Sequence, residues 1–170
     1  NQEAEPLQPE QKLRPYSAAI SACGKAGQWE RALELLEEMK ASGVECNTIA
    51  YTAVISACEK GGQWERALQL LEEMKRTGVK LDLWVYGAAI SACGRKGRWR
   101  EAVDLLEEAK ATGIKPNTVV YSAAISACEK GFQASLALSL LQEMKSQRVR
   151  PNVVSYNSAI AACQKAGRAK

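Results

Sequence analysis

Residues 48–82 read TIAYTAVISACEKGGQWERALQLLEEMKRTGVKLD, and the spacing inside this stretch decides the fold. Tyr51, Val54, Ile55 and Cys58 stand at i, i+3, i+4 and i+7, one apolar face of a helix. Gly61 and Gly62 end that helix, because glycine accepts the left-handed conformation of a tight helix exit. Trp64, Ala67, Leu68, Leu71 and Met74 repeat the pattern and predict a second helix that runs out near Thr77 and Gly78. Lys75 and Arg76 are favourably placed against the dipole of its last turn, and Asp82 can cap whatever helix comes next. The stretch is a helical hairpin in which neither helix can bury its apolar face alone.

Working outward, the hairpin recurs. Tyr16, Tyr51, Tyr86, Tyr121 and Tyr156 are evenly spaced, as are Cys23, Cys58, Cys93, Cys128 and Cys163, and the period is 35 residues. A fixed period in this range marks an array in which each unit is stabilised by stacking on its neighbours. The predicted fold is all-α: a solenoid of helix-turn-helix hairpins winding as a right-handed superhelix, first helices inside and second helices outside. Complete units cover 13–47, 48–82, 83–117 and 118–152; residues 153–170 give the first helix of a fifth. Residues 1–12, with Pro6 and Pro9, read as a disordered lead or the remnant of an upstream element. Asn1 reads as a missing or processed start, with any targeting peptide gone. The last helix is expected to leave Tyr156, Ile160 and Cys163 uncovered, inviting self-association or fraying.

Composition excludes several classes. No apolar run approaches the ~20 residues needed to cross a bilayer. The chain has six cysteines but neither histidine nor a CxxC pair, so the cysteines read as small buried thiols and no metal or other cofactor is implied. Five unpaired thiols suit a reducing compartment. No P-loop, GxSxG or dinucleotide fingerprint appears, and a zinc deaminase would need a His-x-Glu. The chain therefore reads as a binding module and not as an enzyme. Its net charge of +4 permits an anionic partner without identifying one.

The first helix also carries a second stripe. At ~100° per residue, Thr52, Ser56 and Lys60 fall within about 60° of Ile49 and opposite the Tyr51 face. Its cation recurs as Lys25, Lys60, Arg95, Lys130 and Lys165. The glutamates at 37–38, 72–73, 107–108 and 143 fall instead on second helices, which predicts a basic inner and an acidic outer surface. Each cation alone could be a solvated helix-end charge; five in register point to a phosphate-contacting ladder.

The 35-residue period, the Tyr-x-x-x-Ile-Ser-Ala-Cys first helix, the Ala-Leu-x-Leu-Leu-x-Glu-Met second helix and the Gly-x-Lys-Pro-Asn connector resemble the pentatricopeptide repeat family. The resemblance covers residues 13–170 and is to the subclass of uniform standard-length repeats. It implies binding of single-stranded RNA at one base per repeat, in mitochondria or plastids, serving RNA processing, stability or translation. Bases would be read by the residue after each Tyr together with the last residue of the repeat. Carried across, Ser17 with Asn47 implies adenine, Thr52 with Asp82 guanine, and Ser122 with Asn152 adenine. Gly87 with Asn117 departs from the pattern, because glycine has no donor or acceptor; its Asn leans to adenine. Asn157 opens a fifth unit and leans to a pyrimidine. Arg14, Ile49, Trp84, Val119 and Val154 would pack between bases, and an indole at Trp84 can stack for ~1–3 kcal/mol. The implied site is 5′-A-G-(A or any)-A-(pyrimidine)-3′.

Two readings of Asn47, Asp82, Asn117 and Asn152 stand side by side, since Asn and Asp are also preferred helix caps. Trp29, Trp64 and Trp99 open second helices on the apolar stripe and read as core. In the fourth unit Ala134 replaces that Trp, and Phe132 is expected to swing in and refill the volume. The competing function is a helical scaffold that holds a protein or peptide in its groove.

Overall fold

A computed structural model describes residues 8–168, and nine helices with no strand make up the described residues. They are α1 (Pro9–Ala26), α2 (Trp29–Ala41), α3 (Thr48–Lys60), α4 (Trp64–Thr77), α5 (Leu83–Arg95), α6 (Trp99–Ala111), α7 (Thr118–Lys130), α8 (Ala134–Ser146) and α9 (Val153–Arg168). The odd-numbered helices stack on one another in chain order, α1 on α3 through to α9. Each of α2, α4, α6 and α8 wedges between its own first helix and the next one. Two layers result, a continuous wall of first helices and an outer row of second helices: an all-α helical-repeat solenoid.

The apolar faces predicted from spacing form one core. Tyr51, Val54, Ile55 and Cys58 of α3 are buried with Leu71 and Met74 of α4, and the same positions are buried in the third and fourth hairpins, whereas Tyr16 and Ala19 of α1 are half-buried. Each large side chain so buried contributes ~1.5–3 kcal/mol. The helices end where the glycines allow it. Gly62 has φ +70, which lets the Gln63 N–H reach the Cys58 carbonyl at 2.8 Å and close α3. No helix among the described residues is long and apolar enough to cross a membrane.

Three expectations need correction. Residues 9–12 belong to α1: Pro9 is pre-set for a first helical position, and the Gln8 N–H donates to Gln11 Oε1 at 3.0 Å. The rest of the expected disordered lead, 1–7, lies outside the described residues. Phe132 does not refill the core; it is 67% exposed, because at φ 58 it occupies the left-handed position that Gly62 and Gly97 hold in earlier hairpins. From there its ring points outward under the Lys165 ammonium, 5.6 Å from the ring centre. The three tryptophans are half-buried at the core's edge. Trp29 and Trp99 lie across the turn of the next hairpin, so close that a Cβ on Gly61 or Gly131 would stand 2.2 or 2.0 Å from the indole. Trp64 has no such glycine opposite and is stacked by the Arg98 guanidinium at 4.4 Å.

Candidate nucleic-acid interface

The wall of first helices presents the second stripe. Two clefts of about 350 Å³ each open along it, one between α1 and α3 and one between α5 and α7. Thr52, Ile49, Asp82 and Trp84 line the first, with Lys25 and Lys60; Ser122, Val119, Asn152 and Val154 line the second, with Arg95 and Lys130. The structure thus gathers the Thr52/Asp82 and Ser122/Asn152 pairs, each with its packing residues and cations. Trp84 is 73% exposed, and Ile49, Val119 and Val154 are exposed too, so no inter-repeat packing claims them. Arg14 is also exposed.

The connector residues do act as caps. Oδ1 of Asn47, Asp82, Asn117 and Asn152 accepts a backbone N–H from Ala50, Val85, Val120 and Ser155, each at 3.0 Å. One oxygen suffices for the cap, so the Asp82 carboxylate keeps its second oxygen and the Asn47 and Asn117 amides keep their N–H groups. Thr52 donates to the Thr48 carbonyl at 2.7 Å, and its oxygen remains an acceptor. Ser122 is only 4% exposed, and its one hydroxyl proton is shared between Asn152 Oδ1 at 3.2 Å and Ser155 Oγ at 3.3 Å. Its hydroxyl is therefore less available than those of Thr52 and Ser17, which are half-buried. Gly87 leaves room, since an added Cβ would meet only Val120 Cγ2 at 3.4 Å. Asn157 is exposed on α9.

The cation ladder is uneven. Lys60 Nζ donates to the Lys25 carbonyl at 2.9 Å, and Lys130 Nζ to the Arg95 carbonyl at 3.0 Å. Arg95 and Lys165 meet carboxylates instead, Glu59 at 3.2 Å and Glu129 at 2.7 Å. These two glutamates were missed in the sequence, although each directly precedes a ladder cation. Among the described residues, no group of three His, Cys, Asp or Glu side chains could hold a metal.

The outer surface is not simply acidic either. Lys40, Lys75 and Lys110 each bridge a glutamate of their own helix and one of the next second helix: Glu37 and Glu73, Glu72 and Glu108, Glu107 and Glu143. Tyr51 Oη donates to Glu73 at 2.8 Å. Partial burial opposes the charge on Lys40, but bonds to Glu37 and Glu73 outweigh it and raise its pKa above the ordinary lysine value. Burial, then the Glu73 carboxylate, pushes the Tyr51 phenol up to about 12.

Comparison with known proteins agrees with this architecture. The family model described as the pentacotripeptide-repeat region of PRORP matches residues 48–170, and that of the PPR repeat family matches residues 16–60. No curated protein sequence matches the chain. Among solved structures, the pentatricopeptide repeat protein PPR10 in complex with an 18-nt psaJ RNA element is 32% identical, with a TM-score of 0.75 over 98% of this chain. This chain spans 24% of the length of PPR10. The PPR domain of Arabidopsis thaliana protein-only RNase P 1, in complex with tRNA, is 19% identical and shares the fold, with a TM-score of 0.79 over 95% of this chain and 86% of that one. With the matched repeats spanning most of its length, the chain belongs to the pentatricopeptide repeat family.

Proposed function

We propose that the chain binds single-stranded RNA along the wall of first helices, one base per hairpin, as a binding module without catalytic residues of its own. The observation that carries this is the first cleft, where Thr52 and the uncapped oxygen of Asp82 share one opening with exposed Ile49 and Trp84 and the cations Lys25 and Lys60. Apolar faces on which bases stack, beside a polar pair able to match a base edge and cations for the phosphates, are the parts such binding needs. The RNA held by PPR10 supports the same reading. An acceptor at Asp82 rewards a base presenting donors, as guanine's Watson–Crick edge does. The proposed site is 5′-A-G-(A or any)-A-(pyrimidine)-3′, with organellar RNA as the proposed source.

Fluorescence anisotropy with an RNA containing AGAA, against the same RNA carrying UCUU, tests it. Tighter binding to AGAA is expected, and Thr52→Asn should shift the preference at the second base away from guanine. Equal binding to both RNAs would remove the base code. Binding of peptides and of neither RNA would favour the protein-scaffold reading.

A further inference from the structure

The seams between first helices alternate between two kinds. Between α1 and α3 the residue before the ladder cation is Gly24, and an added Cβ there would stand 2.8 Å from the Ala53 carbonyl oxygen. Between α5 and α7 it is Gly94, with the Ala123 carbonyl oxygen at 2.9 Å. Such contact with backbone admits no side chain, so no carboxylate can stand at either place. Between α3 and α5, and between α7 and α9, the same position carries Glu59 and Glu129, which meet Arg95 and Lys165.

Charge follows packing. At the glycine seams Lys60 and Lys130 bond only a carbonyl, so each ammonium keeps its full charge and spare N–H donors. Lys25 makes no side-chain ion pair among the described residues. At the glutamate seams each cation is matched by a mostly buried carboxylate, and the pair is neutral beyond a few ångströms. Both clefts in the wall open at the glycine seams, and Arg95, which also lines the second, is already paired there with Glu59. Lys96 and Arg98, further cations near the α3–α5 seam, lie against Gly62 and Trp64 and line neither cleft.

We propose that the phosphodiester backbone of single-stranded RNA is gripped at every second seam only, by Lys25 and Lys60 and again by Lys130, while Glu59 and Glu129 neutralise Arg95 and Lys165. This rests on the RNA reading above and refines it: bases would be read once per hairpin, phosphates once per two. The two glutamates thereby set the strength of binding without touching a base.

Anisotropy titrations of the whole chain between about 50 and 200 mM salt measure the grip, because each phosphate neutralised on a single strand adds ~0.7 to the slope of log K against log salt. Lys60→Gln and Lys130→Gln are each expected to flatten the slope by ~0.7 and weaken binding about threefold or more at the low-salt end. Arg95→Gln and Lys165→Gln should leave both nearly unchanged. Glu59→Gln, which keeps the side chain's shape, should tighten binding and steepen the slope. Circular-dichroism melts verify that every variant is folded. Equal losses at Lys60 and Arg95, with Glu59→Gln silent, would overturn the alternation while leaving RNA binding intact. The slopes are independent of base sequence, so equal affinity for AGAA and UCUU removes the code and not the grip. Absence of binding to either RNA at low salt would overturn the RNA reading and this refinement with it.

Discussion

Phe132 and Arg148 both stand at φ 58, where the earlier hairpins place Gly62 and Gly97 and Gly43, Gly78 and Gly113. A left-handed conformation costs a residue with a Cβ ~1–2 kcal/mol, partly offset because glycine loses more freedom on folding. Neither side chain recovers the difference through burial, since both are exposed. Arg148→Gly and Phe132→Gly are each expected to stabilise the chain by ~0.5–1 kcal/mol, read as a rise of ~1–4 °C in Tm. Arg148→Gly is the cleaner variant, because Phe132 also gives up the Lys165 contact. A fall in Tm for Arg148→Gly would mean that the turn is not strained.

Between elements, the hairpin was legible in the sequence because its signals are local. The Tyr and Cys register, the paired apolar faces and the capping residues are all read within one unit, and the helices and caps form where that reading puts them, with the tryptophans at the core's edge and not inside it. The alternation of seams was not legible, because it depends on what stands opposite across two helices. Gly24 gains its meaning only from the Ala53 carbonyl against it, and Glu59 only from Arg95. Phe132 was misjudged for a related reason: its direction follows from φ, not from the volume lost at Ala134. Of the candidate site, the stripe's residues were legible, whereas the clefts between helices and the sequestered hydroxyl of Ser122 were not. The glycine seams carry a prediction of their own. Gly24→Ala and Gly94→Ala force a methyl against a carbonyl, and each should lower stability in urea unfolding by ~1–3 kcal/mol. Gly167→Ala, a helical position where an added Cβ meets nothing within 4 Å, is the control and should be neutral or slightly stabilising. Equal effects at all three sites would mean that the close approach is not maintained.

Across the whole molecule, the buried thiols run beneath the wall of first helices and tie its stability to pH. Burial raises Cys58 and Cys128 to about 11 and Cys93 to about 12, from an ordinary 9.0. Tyr51 goes the same way, to about 12 from 10.0. In each case the folded chain holds its proton more tightly than the unfolded chain. The stability these groups contribute is therefore complete below pH 9 and is lost as pH climbs from there through the folded values near 11 to 12. At pH 10 each thiol forfeits on the order of 1 kcal/mol, so the three together forfeit a few kcal/mol, a fall on the order of 10 °C in Tm for a chain of this size. Thermal melts at pH 8 and pH 10 should show that fall, reversible on returning to pH 8 under reducing conditions. Replacing Cys58, Cys93 and Cys128 together by alanine lowers the starting stability but should flatten most of the pH dependence, since only Tyr51 and the other raised phenols and lysines remain to titrate. An unchanged alkaline fall in the triple variant would assign the effect to the Lys40–Glu73–Tyr51 clamp and its counterparts on the outer row. The steep axis of stability would then lie between second helices rather than beneath the groove.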